Sequence, residues 1–297
     1  MNHSSSVHLN SASSGDGARF ESFGASRVEA EIAGSRRSPR RFFLRGGFRI
    51  SPIRFLGIFM LLVAMPATAH YPWIKVHGAT SASEYFRIHF GHSFPEDGLL
   101  RADRVAGVRL VHPDGSVEVL ELEAREDHPL SPARNPGARM IVAEQNPAYW
   151  SRTHEGGRRA SREQYPDAFS CSQSSNVMKA VVNRGTGTAW QHRQGHPLEL
   201  LPREDPAGLR AGDPLTLQVL LHGEPWEGEV RATYAGYPGD GGHDYALTVR
   251  TDAEGLARMV PAVAGYWLVQ AHASEDYPDP AVCDRRSYHS TLTFRVR

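Results

Sequence analysis

The sequence has few cysteines, few lysines and no excess of either charge. With 2 cysteines among 297 residues, the chain can form neither a disulfide-dense scaffold nor a zinc site made of thiolates alone, which needs three or four. Lysine occurs only at Lys75 and Lys179, and arginine supplies the other basic side chains. Basic and acidic residues number 33 each, so the overall charge gives no indication of nucleic-acid binding.

The first 69 residues predict a secretory signal peptide behind a long extension. Residues 1–54 have no sustained apolar period, so we expect them to be disordered or to reflect an over-extended gene start. A basic stretch, the apolar run 55–65 and the small residues up to Ala69 follow in the order typical of an export signal. A membrane anchor is the alternative, but this run is shorter than the about 20 residues that a span needs. We therefore expect cleavage after Ala69 and a periplasmic or otherwise exported protein.

Export changes both the charge and the redox expectation. Cleavage would leave 24 basic and 29 acidic side chains, because it removes nine arginines and four acids. Nucleic acid is therefore not an expected partner. In an oxidising compartment, Cys171 and Cys283 can pair although they lie far apart in the sequence, and both have polar neighbours. We expect this disulfide, with two unpaired thiols as the alternative.

Alternation of apolar and polar residues predicts strands at the start of the mature chain. Residues 70–77 and 84–90 alternate with a period of two. The predicted inward side chains are Pro72, Ile74, Val76, Phe86, Ile88 and Phe90, and the predicted outward ones are Trp73, Lys75, His77, Tyr85, Arg87 and His89. A turn at 113–115 between two alternating runs predicts a hairpin.

The whole pattern predicts an all-β protein with two β-sandwich domains. The first, 70–194, carries an insertion at 150–183, in which the spacing of Phe169, Val177, Val181 and Val182 allows a helix and the rest is loop. The second, 195–297, has six or seven short strands separated by turns, as in immunoglobulin or prealbumin sandwiches.

A series of short motifs runs through the mature chain. They are Ala69-His70-Tyr-Pro-Trp73, Gly91-His92-Ser-Phe94, Trp150-Ser-Arg-Thr-His-Glu-Gly156, the region of Cys171, Gly195-His196-Pro-Leu-Glu-Leu-Leu-Pro202, Gly223-Glu-Pro225, Thr251-Asp-Ala-Glu-Gly255, Gly265-Tyr-Trp267 and Tyr288-His-Ser-Thr-Leu-Thr-Phe294. Their order resembles a family of exported bacterial proteins of formally unknown function, labelled NikM-like, which is associated with nickel or cobalt uptake. The resemblance implies an exported two-part β protein, and beyond that a metal role with a membrane transporter as partner.

His70 is the first candidate metal ligand. If cleavage follows Ala69, the new α-amine and the Nδ1 of His70 can close a six-membered chelate on one ion. Both groups release their protons near neutral pH, and amine and imidazole nitrogens suit nickel, cobalt, copper and zinc. A chelate through the deprotonated amide of the third residue is excluded, because that residue is Pro72, which has no N–H. The alternative is a solvated terminus without a ligand.

Three other histidines are candidate partners of His70. His92 follows Gly91 just after a strand, where a sharp turn can direct its ring to a site. His89 and His77 lie on the outward faces of the two predicted strands and could reach the same edge. Each of the three can instead be a surface histidine in water.

Three functions remain open after these observations. The first is a non-enzymatic metal-binding protein that captures Ni²⁺ or Co²⁺ for a membrane transporter. The second is a copper oxidase built on a terminal histidine brace, and the third is a structural or adhesion module without metal. The Asp240–Asp244 loop lacks the acidic ladder of a calcium loop, and neither a Gly-x-Ser-x-Gly elbow nor a phosphate-binding glycine loop occurs.

Overall fold

The computed structural model describes residues 70–77, 85–120, 123–125, 128–132, 140–182, 187–239 and 244–297. The expected extension, signal peptide and cleavage site at Ala69 lie outside these residues. None of the helices in these ranges has the length and apolar character required to cross a membrane.

The regular secondary structure of the described residues is almost entirely β-strand, which confirms the all-β prediction. The strands are β1 Tyr71–His77, β2 Tyr85–Gly91, β3 Val105–Val111, β4 Val117–Val119, β5 Glu123–Arg125, β6 His128–Pro132, β7 Met140–Gln145, β8 Ala148–Thr153, β9 Gly156–Arg158, β10 Ser170–Val181, β11 Leu198–Pro202, β12 Leu215–Leu221, β13 Glu224–Pro225, β14 Glu229–Tyr234, β15 Leu247–Arg250, β16 Leu256–Met259, β17 Gly265–Asp276 and β18 Arg285–Val296. Short 3-10 helices cover Ala102–Arg104, Ala189–Gln191 and Pro206–Gly208.

The strands form three sheets, of which the largest is central. The first sheet has the order β1-β2-β6-β5, and the third has β11-β12-β13 with β16 beside β12. The central sheet has the order β15-β14-β17-β18-β10-β7-β3-β4, extended by β8 beside β10 and β9 beside β8. The β10–β18 pair is parallel. These two strands come from opposite sides of the predicted domain boundary at residue 195, so strands from both predicted domains share this sheet.

Apolar residues cover the central sheet on both faces. Ile74, Phe86 and Ile88 of the first sheet pack with Ile141 and Met178 of the central sheet. On the other face, a larger cluster joins the third sheet to the central one; its members include Leu200, Leu217, Val269, Leu292 and Phe294. The layers are therefore two sandwiches built on one common sheet, consistent with the predicted sandwich architecture.

The edge strand β1 docks on the central sheet through its backbone. Thr291 Oγ1 donates to the Pro72 carbonyl at 2.9 Å, and Thr293 Oγ1 donates to the Ile74 carbonyl at 2.7 Å. The hydroxyls thus satisfy carbonyls that an edge strand would otherwise leave unpaired. Because its edge faces the central sheet, side chains on both faces of β1 are enclosed. Trp73, predicted to point outward, is fully buried for this reason.

The structure corrects the prediction of a helical or loop insertion at 150–183. The described residues of this segment, 150–182, contain most of β8, all of β9 and the 12-residue strand β10, and no helix. Met178 and Ala180 face the first sheet while Val181 faces the third, so both faces of β10 are apolar. A strand covered on both faces loses its alternation and can imitate helical spacing.

The disulfide between Cys171 and Cys283 is confirmed. It joins the beginning of β10 to the turn before β18, across 112 residues of sequence.

Candidate functional site

His70 and His92 lie together at the end of the β1–β2 ladder. The ladder pairs Tyr71 with Gly91, so the residue before β1 and the residue after β2 are brought side by side. The ring centroids of the two histidines are 4.1 Å apart, with an angle of 47° between the planes. His70 also stacks on Phe90 at 5.4 Å. The antiparallel register therefore creates a pair of imidazoles from residues 22 positions apart in the sequence.

His70 is exposed, but the residue after it is firmly anchored. Tyr71 is buried, packs with Trp73 and Leu268, and hydrogen-bonds through its hydroxyl to Tyr245. Burial raises the pKa of Tyr71, so its hydroxyl remains protonated. This anchor limits how far the backbone of His70 can move away from His92.

Asp97 holds the turn that carries His92, and the sequence reading missed this residue. Its Oδ2 accepts from the N–H groups of His92 and Ser93 at 2.7 and 2.8 Å, and its Oδ1 accepts from the N–H of Gly98 at 2.7 Å. Burial alone would raise the pKa of Asp97, but these N–H donors and His92 lower it below its usual range. An aspartate a few residues past a strand end, in a segment with glycine and proline, is the sequence signal for such a turn.

Gly91 is needed for a different reason from the one expected. A Cβ at this position would lie 2.1 Å from Asp97 Oδ2. Glycine therefore leaves room for the aspartate, and the expected sharp backbone turn is not its role, because its φ is not positive.

His77 and His89 form a second pair, separate from the first along the ladder. Their ring centroids are 6.3 Å apart, and His77 also stacks on Tyr85 at 4.9 Å. His89, predicted to point outward, is buried and stacks on Trp73 at 5.7 Å. Burial lowers the pKa of both histidines, so both rings are neutral at pH 7. The Nε2 atoms of both are buried without a hydrogen-bond partner among the described residues.

The four predicted ligands thus occupy two places. His70 and His92 share one, whereas His77 and His89 share the other, where Lys75 and Glu96 form an ion pair nearby. Within the described ranges, no group of three or more His, Cys, Asp or Glu side chains has the geometry to hold a metal ion. A site at His70 and His92 therefore requires a donor other than these side chains.

Comparison with known families matches residues 67–275 to a domain described as "Domain of unknown function (DUF4198)". No curated protein matches the chain. The family description names neither a metal nor a transport role, so nickel or cobalt uptake has no support from this match.

Proposed function

We propose that this chain, which belongs to the family of unknown function described above, is an exported protein that binds a divalent transition-metal ion at His70 and His92. The observation that carries the proposal is the 4.1 Å separation of the two rings. Bonds from such metals to imidazole nitrogen are about 2.0–2.1 Å, so two nitrogens on one ion lie about 3–4 Å apart. Small rotations of rings this close can provide that spacing.

The third donor is the α-amine of His70 after cleavage behind Ala69. This amine is four bonds from Nδ1 of the same residue and closes a six-membered chelate with it, while His92 supplies the third nitrogen. The amine is therefore the additional donor that the described side chains do not provide. Amine and imidazole nitrogens favour nickel, cobalt, copper and zinc over calcium and magnesium.

The role that fits such a site is capture of Ni²⁺ or Co²⁺ for a membrane transporter. Three nitrogens on an exposed residue and a half-buried one leave coordination positions open to solvent, which suits release to a partner. Capture for transport is supported by the motif order described above. Copper binds most tightly in the usual affinity order, so metal availability decides which ion is carried.

The test is calorimetric titration of Ni²⁺, Co²⁺ and Cu²⁺ into protein isolated from the exported fraction, with its N-terminus determined by mass spectrometry. We expect a site that His70→Ala or His92→Ala weakens about 100-fold or more, because each removes one arm of a chelate. The exposed His154 lies outside the site, and His154→Ala is the matched control with unchanged affinity. An uncleaved leader, or equal affinity in all three variants, contradicts the proposal.

A further inference from the structure

A row of polar side chains crosses one face of the central sheet beyond the end of β1. His272 on β17 pairs with His289 on β18, and Asn176 on β10 pairs with His289 from the other side. Asn176 Nδ2 donates to Gln145 Oε1 at 2.8 Å, which continues the row onto β7. Directly paired residues of neighbouring strands point to the same face. The four side chains therefore form one line across four strands.

The two histidines of this row face each other closely. Their ring centroids are 4.3 Å apart, with 27° between the planes. His272 is exposed and His289 is half-buried. Neither ring is hydrogen-bonded to another of the described residues, which leaves the nitrogen lone pairs free.

Asn176 provides independent evidence for a ligand at the His272–His289 pair. Its side chain is only 5% exposed, and its Oδ1 is buried without a hydrogen-bond partner among the described residues. A buried carbonyl oxygen without a hydrogen-bond partner destabilises the fold. The Nδ2 of Asn176 is already engaged with Gln145, so the free oxygen is the atom left to meet a ligand beside His289.

We propose that His272 and His289 form a second site for a divalent transition-metal ion, with one nitrogen from each ring and with Asn176 Oδ1 as a further oxygen donor. Solvent completes the coordination. Two neighbouring imidazoles on adjacent strands form a bidentate ligand held by the sheet, so little freedom is lost on binding. Imidazole donors select nickel, copper and zinc over calcium and magnesium.

This second site lies near the beginning of β1. The pairs Pro72–Thr291 and Ile74–Thr293 have the same separation of 219 residues, so β1 follows β18 in the same direction. Continued by two residues, this register brings the backbone of His70 to the level of His289. The second site nevertheless needs no free amine, so it does not rest on the proposed function at His70 and His92.

The experiment starts from a background variant of the full chain that lacks the histidines of the first site and those of the first 69 residues. His70→Ala and His92→Ala remove the first site, and His3→Ala and His8→Ala remove the two histidines of the first 69 residues. Ni²⁺ titrated into this variant by calorimetry should still bind one site per chain. In the same protein labelled with ¹⁵N-histidine, Zn²⁺ should shift the ring nitrogens of the His272–His289 pair first.

The test variants are His272→Gln and His289→Gln in this background. Each should weaken Ni²⁺ binding about 100-fold or more, because one arm of the chelate is lost, while His154→Ala should leave it unchanged. Circular dichroism and the thermal midpoint show that each variant is folded, and the exposed His272 is the variant least able to disturb the core. Equal Ni²⁺ affinity in His272→Gln and the background, or Zn²⁺ shifts confined to other histidines, overturns the proposal.

Discussion

At the scale of single residues, the position of His92 depends on the lack of a side chain at Gly91. Gly91 leaves the space that Asp97 fills, and Asp97 in turn fixes the N–H groups of the turn that carries the imidazole. The carboxylate accepts three N–H bonds there, so its position is well determined. A glycine can be required because a neighbour approaches closely or because its φ is positive. Gly91 is required for the first reason, so any side chain at this position is excluded, whatever the backbone conformation.

Replacing Gly91 should therefore displace Asp97. We expect Gly91→Ala to lower the free energy of unfolding by about 1–3 kcal/mol, as other overpacking substitutions do, and to weaken Ni²⁺ binding by moving His92. Gly107 in β3 is the matched control, since a Cβ there meets nothing within 4 Å. Urea unfolding of the two variants measures the difference, and equal stability would show that the turn accommodates the methyl group.

At the scale of the strands, the sequence predicted the elements whose side chains alternate between apolar and polar, and it failed for β10, whose two faces are both apolar. Alternation identified β1 and β2, and their inward residues Ile74, Phe86 and Ile88 are buried as predicted. In β10, however, Met178 and Val181 are both buried, on opposite faces. The sequence does not contain the information that a second sheet covers this strand, because that sheet comes from residues far along the chain.

The candidate sites show the same division between local and long-range information. His70 and His92 flank two strands joined by a short connection, so an antiparallel hairpin suffices to bring them together. The partnership of His272 with His289 depends on the register of β17 with β18, and Asn176 joins them only through a parallel pairing. Registers between distant strands follow from turns and packing across the whole sheet. The residue pattern of one segment therefore does not define them.

Between β10 and β11 lies a buried ion pair that the sequence analysis did not predict. Lys179 donates to Glu199 Oε1 at 2.6 Å and to the Leu200 carbonyl at 3.2 Å, and both charged side chains are almost fully buried. Glu199 also accepts from the N–H of Gln194 at 2.6 Å. Burial alone would raise the pKa of Glu199, but Lys179 and the N–H of Gln194 lower it below its usual range. The carboxylate is therefore charged and depends on its partner.

Removing the lysine should leave an uncompensated buried carboxylate. We expect Lys179→Met to lower the free energy of unfolding at pH 7 by about 3–5 kcal/mol, and Lys179→Met combined with Glu199→Gln to recover part of this loss, because the charge is gone. Arg101→Ala, which breaks an exposed pair with Asp103, is the control and should cost no more than about 1 kcal/mol. A double variant less stable than Lys179→Met would contradict this account.

The pH dependence of the Lys179→Met variant tests the same pair. In the wild type the lowered pKa of Glu199 stabilises the fold above the unfolded value of about 4.3, and this contribution is lost as the pH falls through the lower folded value. In Lys179→Met, burial raises that pKa instead, so stability decreases as the pH rises above the unfolded value. The deficit relative to the wild type should therefore be smaller at pH 5 than at pH 8, as measured by urea midpoints at the two values.

At the scale of the whole molecule, the disulfide joins the beginning of β10 to the turn before β18. These two strands lie in the sheet that the two sandwiches share. Cys171 begins β10 and Cys283 precedes β18, the parallel pair at the centre of the shared sheet. An ion pair and a hydrogen bond also stabilise this junction. Arg162 forms the ion pair with Asp284, and Asp284 Oδ2 accepts the hydrogen bond from the N–H of Cys171 at 2.7 Å. The folded junction therefore has contacts that do not require the sulfur–sulfur bond, and the disulfide acts mainly on the unfolded chain.

Loss of the disulfide should lower stability without changing the fold. The bond closes a loop of 112 residues, for which the chain-entropy model gives about 4–5 kcal/mol. We expect Cys171→Ala combined with Cys283→Ala to retain the far-UV spectrum of the wild type, to unfold at lower urea and to show a steeper urea dependence, because its unfolded chain exposes more surface. Dithiothreitol should bring the wild type to the same midpoint and leave the double variant unchanged. A reduced wild type as stable as the oxidised protein would mean that the unfolded chain already holds β10 and the β18 junction together, and that the contacts around Asp284 govern the stability of the shared sheet.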